Sequence, residues 1–256
     1  MSELLIHQFP CLGDNYGVLL HDEASGQTAA IDAPDGQAVL DALKDKGWSL
    51  THILVTHHHA DHTQGIGAVT SKFDCKVIGP TDTMSRVPSI QQGVDDGDSF
   101  DFAGHSVRVI GTPGHTLDMI NFYFADQGVV FTGDTLFAMG CGRIFEGNPS
   151  MMWASLQKLM ALPADTVIYC GHEYTQANAD FAMSVDGGNP ELQKRVEIVK
   201  ALRAAGKPTL PTVMQVELDT NPFLRAGDAG IRKNLGMENA DDAEVFAEIR
   251  GRKDNF

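Results

Sequence analysis

Long apolar runs, paired cysteines, a basic excess and a leader-like start are all missing from this chain of 256 residues. No stretch of about eighteen consecutive apolar residues occurs, which excludes a membrane-spanning helix. Cys11, Cys75, Cys141 and Cys170 lie far apart and form no Cys-x-x-Cys, a pattern of reduced thiols rather than of a disulfide framework. Lys and Arg total 19 against 34 Asp and Glu, so the net charge is −15. A nucleic-acid partner needs a basic face, and none is available. The opening residues Met1-Ser2-Glu3-Leu4-Leu5-Ile6-His7 lack the basic start and apolar core of a signal peptide, so the expected location is the cytoplasm. Short repeats and low-complexity segments are absent as well. A hydrophobic content of 43% is ordinary for a globular protein, and the length suffices for one large core or a core with a small appendage.

What is present is a dense set of metal donors. Between Thr56 and Thr63 the chain reads His57-His58-His59-Ala60-Asp61-His62, or His-x-His-x-Asp-His. Imidazole and carboxylate suit a divalent transition metal. The run is not terminal, as a tag would be; it follows His52-Ile53-Leu54-Val55, an apolar β-branched segment that reads as a buried strand. Alternation of side chains along extended backbone turns His58 away from its neighbours, as a hydrogen-bonded structural histidine. A zinc site usually closes with four ligands and a catalytic one keeps a position open, so this excess suggests two ions. Three later segments repeat the syntax of apolar strand, turn and donor. Val107 to Ile110 leads to Gly111-Thr112-Pro113-Gly114-His115; Val129 to Phe131 leads to Thr132-Gly133-Asp134; Val167 to Cys170 leads to Gly171-His172. A lone His or Asp after a strand is usually a turn residue, but four instances together are not. Cys170, inside its apolar strand, reads as a small buried hydrophobe rather than a ligand.

This combination resembles the metallo-β-lactamase superfamily, whose first motif is followed by a His, an Asp and a His. The resemblance implies an α+β fold, an αββα sandwich, with two metals. Carried over by position, one metal takes His57, His59 and His115, the other takes Asp61, His62 and His172, and Asp134 bridges them. His59 stands where redox-active diiron members carry Glu, which favours hydrolysis.

Beyond that motif, the chain resembles glyoxalase II, the hydroxyacylglutathione hydrolases, over nearly its whole length. The matching stretches are Gly133 to Phe137, Gly140-Cys141-Gly142-Arg143, Gly171-His172-Glu173-Tyr174, Asn221 to Arg225 and Lys253-Asp254-Asn255-Phe256. The implied organisation is a catalytic domain over 1–171 and a helical glutathione-binding domain over 172–256. Implied substrate contacts are Arg143, Ile144, Phe145, His172, Glu173, Tyr174, Arg250 and Lys253. Phe145 departs from the Tyr of some members, and Gln64 replaces one glycine of a common Gly-Gly pair. The implied reaction is hydrolysis of S-D-lactoylglutathione to glutathione and D-lactate, within methylglyoxal detoxification. A hydroxide held between two divalent cations, zinc with iron or manganese as alternatives, attacks the thioester; Asp61 orients it and Asp134 fixes the pair. The protein is expected to be a monomer whose partner is this small molecule.

Read without the resemblance, Arg250-Gly251-Arg252-Lys253 is equally a solvated helix terminus and an anion pocket. Helices are expected at Ala38 to Lys46 and at Met151 to Leu162, the latter stopped by Pro163. Asn189 caps a third that begins with Pro190, carries the stripe Leu192, Val196, Val199 and Leu202, and stops at Gly206. A last helix, Asp241 to Arg250, buries Val245, Phe246 and Ile249. These stripes are expected to pack on the sandwich as a helical lid. Three rivals stay open: a mononuclear iron persulfide dioxygenase, another hydrolase of the superfamily such as a β-lactamase or lactonase, and a metal-storing module without activity.

Overall fold

The computed structural model describes residues 3–256. Its contacts group the chain into two compact units, 1–111 with 118–133 and 112–117 with 134–256.

The first unit holds two sheets. β1 (Leu5–Cys11), β2 (Asn15–Asp22) and β3 (Gln27–Ile31) run antiparallel; then β4 (His52–Leu54), β5 (Lys76–Pro80) and β6 (Gln92–Val94) continue in parallel. Parallel neighbours need crossovers, and helices supply two of them. α1 (Gly36–Lys46) is capped by the Asp35 side chain and closed by Gly47 at φ 70°. α2 (Ala60–Thr63) and α3 (Ile66–Thr70) lie between β4 and β5. Val39, Ala42 and Leu43 of α1 and Ile66 and Val69 of α3 pack on Leu19, Ala30, Ile53 and Val77 of the sheet. A second sheet is the antiparallel meander β7 (Ser99–Phe102), β8 (His105–Gly111), β9 (Ile120–Phe124) and β10 (Val129–Gly133). β9 and β10 are buried along their whole length, the polar Asn121 and Thr132 included. β4 therefore ends at Leu54 with both of its neighbours in place, and the histidine run starts at a strand terminus as expected.

The second unit opens with a small antiparallel hairpin, β11 (Leu136–Phe137) and β12 (Gly140–Cys141). α4 (Pro149–Met160) follows, then β13 (Val167–Cys170), α5 (Thr175–Asp186), α6 (Pro190–Ala204), β14 (Thr212–Val213), α7 (Met214–Thr220), α8 (Ala229–Leu235) and α9 (Asp242–Asp254). α4 begins two residues before the predicted Met151, because the Asn148 side chain accepts from Met151 N and Pro149 takes the first turn. The Asn189 cap and the Gly206 stop, at φ 66°, are as expected. α9 starts from a capping box of Asp241 and Glu244 and runs four residues past the predicted Arg250. The α6 stripe differs in its partner: Leu192, Val196 and Val199 pack on Ala179 and Ala182 of α5 and on Met139 of the hairpin turn. Trp153 of α4 meets Phe246 of α9 at 5.7 Å between ring centres. The tail helices thus share a core with α4 and the hairpin.

Candidate metal centre

The His-x-His-x-Asp-His loop is anchored by a residue thirty positions upstream of its last histidine. Asp32 follows β3 in a left-handed conformation, φ 57°, which aspartate tolerates better than most residues. Its buried carboxylate accepts from Thr56 N at 2.7 Å and Thr56 Oγ1 at 2.8 Å, and lies 2.7 Å from His62 Nδ1. The hydrogen assignments follow. Because a carboxylate only accepts, Nδ1 of His62 carries the proton; because the Thr56 hydroxyl has given its hydrogen to Asp32, His57 Nδ1 must donate to it at 2.9 Å. In the neutral ring, each of the two therefore leaves Nε2 as the acceptor. The imidazoles crowd together, with His57 ring centres 4.7 Å from His59 and 4.2 Å from His62. Thr63 Oγ1 donates to His59 O, and Asn15 Nδ2 to Asp61 O at 3.1 Å, which shapes the turn into α2. The Asp61 carboxylate is half exposed, with Oδ2 3.9 Å from His62 Nε2.

His58 faces another way, as alternation predicted. Its Nδ1 lies 2.9 Å from buried Asp118, which also receives the Thr83 hydroxyl, and Arg86 stands beside the ring.

In the second unit the later donors converge on one oxygen. Asp134 Oδ2 is 3.4 Å from His115 Nε2 and 3.3 Å from His172 Nε2, all three side chains being buried. Asp134 follows Gly133, whose φ of 45° suits glycine; a Cβ there would meet Met119 and Thr56 Oγ1. His115 Nδ1 donates to the Arg143 carbonyl at 2.8 Å, so a third ring is fixed with Nε2 outward. The same loop is joined to 145–147 by main chain: Phe145 N and Glu146 N donate to His115 O, and Gly147 N to Gly114 O.

Candidate substrate contacts gather in this unit too. Tyr174 stacks flat on His172, 4.6 Å between centres and 4° between planes. Phe145, 61% exposed, sets its ring against His115 at 5.3 Å. Ile144 beside it is half-buried. Arg143 is exposed, and its Nε lies 3.5 Å from Asp254 Oδ1. Lys253 Nζ donates to Ala177 O at 2.9 Å and sits over the Phe181 and Phe256 rings. Burial, followed by the Arg250 charge, pulls its pKa below the usual lysine value. Two residues are engaged inside the fold. Arg250 is only 6% exposed, donating to Cys141 O and Asp254 and lying over Phe223. The Glu173 carboxylate takes Thr209 N and Thr209 Oγ1, with Arg203 alongside. Cys170 is buried, with Sγ toward His172 O, and burial raises its thiol pKa far above the free value. All four cysteines are free and buried, as expected of reduced thiols.

Sequence reasoning missed Asp32, whose distance from the motif follows no spacing rule; an aspartate closing an apolar strand was its one visible signal.

Comparison with known proteins places this geometry. The profile of the metallo-β-lactamase superfamily matches residues 18–172. A solved B3 metallo-β-lactamase, BLEG-1, shares the fold at TM-score 0.66 with 22% identity, over 86% of this chain and 99% of that one. ETHE1 from Myxococcus xanthus gives 0.66 and 28%, over 97% and 98%. The chain therefore belongs to the metallo-β-lactamase superfamily and has its αββα fold. The profile for the hydroxyacylglutathione hydrolase C-terminus matches residues 173–256. Hydroxyacylglutathione hydrolases from Rhizobium meliloti and Maricaulis maris are 54% and 52% identical, each over 100% of both chains. Within the superfamily, the chain is a member of the hydroxyacylglutathione hydrolase family, glyoxalase II.

Proposed function

We propose that the protein is a thiolester hydrolase that cleaves S-2-hydroxyacylglutathione, S-D-lactoylglutathione in particular, to glutathione and D-lactate in methylglyoxal detoxification. The observation that carries the reading is tautomeric. In His57, His62 and His115 the Nδ1 hydrogen is committed to Thr56, Asp32 and the Arg143 carbonyl, the arrangement a metal-ligating imidazole needs to offer Nε2. The donor set fits divalent cations. His57, His59 and His115 would hold one, Asp61, His62 and His172 the other, and Asp134 would serve both; zinc suits mixed imidazole and carboxylate donors, as do iron and manganese.

Such cations supply Lewis acidity and lower the pKa of water. The protein's own groups do the rest. Asp61, half exposed, is able to accept a hydrogen bond from the attacking water and orient it toward the thioester carbon. Arg143 and Lys253 would offer charge to the glutathione carboxylates, Arg250 would brace the helix that carries Lys253, Glu173 would support the substrate side from inside the fold through Thr209, and Ile144, Phe145 and Tyr174 would line the approach. Anchoring a remote part of the substrate fixes its reacting carbonyl. The thiolate leaves without a general acid. Functional roles would follow the chain order, chemistry in 1–171 and glutathione binding in 172–256, except that Arg143, Ile144 and Phe145 would reach the substrate from the first part and His172 would hold metal from the second. We further propose a cytoplasmic monomer; the reduced thiols suit that compartment.

The test joins elemental analysis of the purified protein to hydrolysis assays. Two metal equivalents and turnover of lactoylglutathione above that of nitrocefin or a lactone are expected. Oxygen uptake with glutathione persulfide, or no thioester turnover by metal-replete protein, would overturn the reading.

A further inference from the structure

The hairpin that links Asp134 to Arg143 buries the side chains of Leu136, Phe137 and Met139, and its main chain is in addition gripped residue by residue from the tail. Asn221 Nδ2 donates to Phe137 O at 3.2 Å and Gly140 O at 3.0 Å. Asn178 Nδ2 donates to Ala138 O at 3.1 Å. Glu217, wholly buried, accepts from Met139 N at 2.8 Å. Arg250 donates to Cys141 O at 2.9 Å. Met139 is a non-glycine residue at φ 53°, a conformation that persists where surrounding contacts dictate it. Glu217 is itself locked by Arg195, by Thr212 Oγ1 at 2.6 Å and by Asn221 at 3.1 Å. A buried, fully engaged acid of this kind is rigid.

Both ends of the clamped segment carry donors. Asp134 precedes it, and the Arg143 carbonyl at its exit takes the His115 Nδ1 hydrogen. Gly142 N closes the base onto Thr135 O, and a Cβ at Gly142 would strike the Asp134 carbonyl and lie 3.2 Å from the His115 side chain. Movement of the hairpin therefore moves Asp134 and His115 together.

We propose that Asn178, Glu217 and Asn221 are positioning residues for the metal: through the main chain of 137–140 they hold Asp134 and His115 in ligating register. The inference rests on the metal reading above. It gives the tail helices a part in metal retention, in addition to binding substrate.

The test uses the full-length, zinc-loaded protein and a chromogenic chelator, so that hydrolysis is not the readout. Asn178→Ala deletes one bond, and Glu217→Gln and Asn221→Asp alter the core of the clamp. Each is expected to release zinc at least tenfold more readily with an unchanged far-UV spectrum, and to alter the visible spectrum of cobalt-substituted protein. Val199→Ala, in the α6 stripe, is the control: it lowers Tm with zinc affinity and cobalt spectrum unchanged. Zinc affinity within twofold of the parent in folded Asn178→Ala overturns the proposal, as does equal zinc loss in Val199→Ala. Asn178→Ala decides the matter if Glu217→Gln does not fold. Parent protein that binds no zinc, iron or manganese would sink the metal reading itself, a separate result.

Discussion

Asp32→Asn tests how far metal affinity depends on a proton held at the far side of a ring. The substitution is isosteric, and asparagine accepts the left-handed backbone at this position, φ 57°, as well as aspartate does. Only the hydrogen-bond roles change. Thr56 N can only donate, so the amide oxygen must stay opposite it, and the NH2 turns to Thr56 Oγ1 and His62 Nδ1. The hydroxyl adapts by rotating. The imidazole adapts by becoming an acceptor at Nδ1, which moves its proton to Nε2, the ligating atom. Loss of such a supporting partner weakens metal binding about 10–100-fold, and at about 1.4 kcal/mol per factor of ten this is roughly 1.4–2.8 kcal/mol. Asp32→Ala differs in kind, because it strands the buried Thr56 N–H and His62 donors at about 1–3 kcal/mol each, roughly 2–6 kcal/mol of folding stability. Chelator competition should separate the two: Asp32→Asn loses affinity with its metal-free Tm near that of the parent, and Asp32→Ala loses both. Parental affinity in Asp32→Asn would refute the tautomer argument.

Other expectations follow from the same structure. His58→Ala should keep its full metal content while losing about 1.5–3 kcal/mol of stability, the scale of a hydrogen bond to a charged group; metal loss measured by elemental analysis would make His58 a ligand. Lys253→Ala should raise KM for the glutathione thioester several-fold with kcat nearly intact, since it removes binding rather than chemistry; an unchanged KM with collapsed kcat in steady-state assays would contradict that role. Burial pushes the Cys141 thiol up to about 11 and the Cys11 thiol up to about 12, so native protein should resist thiol reagents at pH 8 and react only on unfolding. Burial, then Lys76, holds His52 below its usual value of 6.5. A depressed histidine means that the unfolded chain binds the proton more tightly: its contribution is intact above about 6.5 and declines as pH falls toward the folded value. Thermal unfolding of metal-free His52→Gln should therefore decline less than the parent between pH 7 and 5, and a parallel decline would remove His52 as a cause.

Much of this was legible because strand ends announce themselves. β4, β8, β10 and β13 are apolar, β-branched runs, and each hands over to a glycine or threonine turn and then a donor. The cap at Asn189 is equally plain, since capping chemistry is local; Asp241, read as the first residue of the last helix, is instead its cap. Asn148-Pro149 carries the same signal as Asn189-Pro190, and α4 starts there rather than at the apolar run after it. Long-range polar contacts were not legible. Glu217 and Asn178 act on carbonyl and amide groups that every sequence possesses, so no residue pattern marks their targets. Arg250 read equally as a surface cation or an anion hook; its burial depends on the Cys141 carbonyl, 109 positions away. The α6 stripe showed that a face is buried and said nothing of which partner buries it.

The loop bearing His115 is joined to 143–147 through amides and carbonyls that any amino acid supplies. Swapping the side chains at 143 and 145 leaves those links standing. Phenylalanine in place of tyrosine at 145 is one such exchange. With Arg143 and Phe145 in the substrate-contact roles proposed for them, specificity would be free to drift, in nature or in directed evolution, while the orientation of the imidazole stays put.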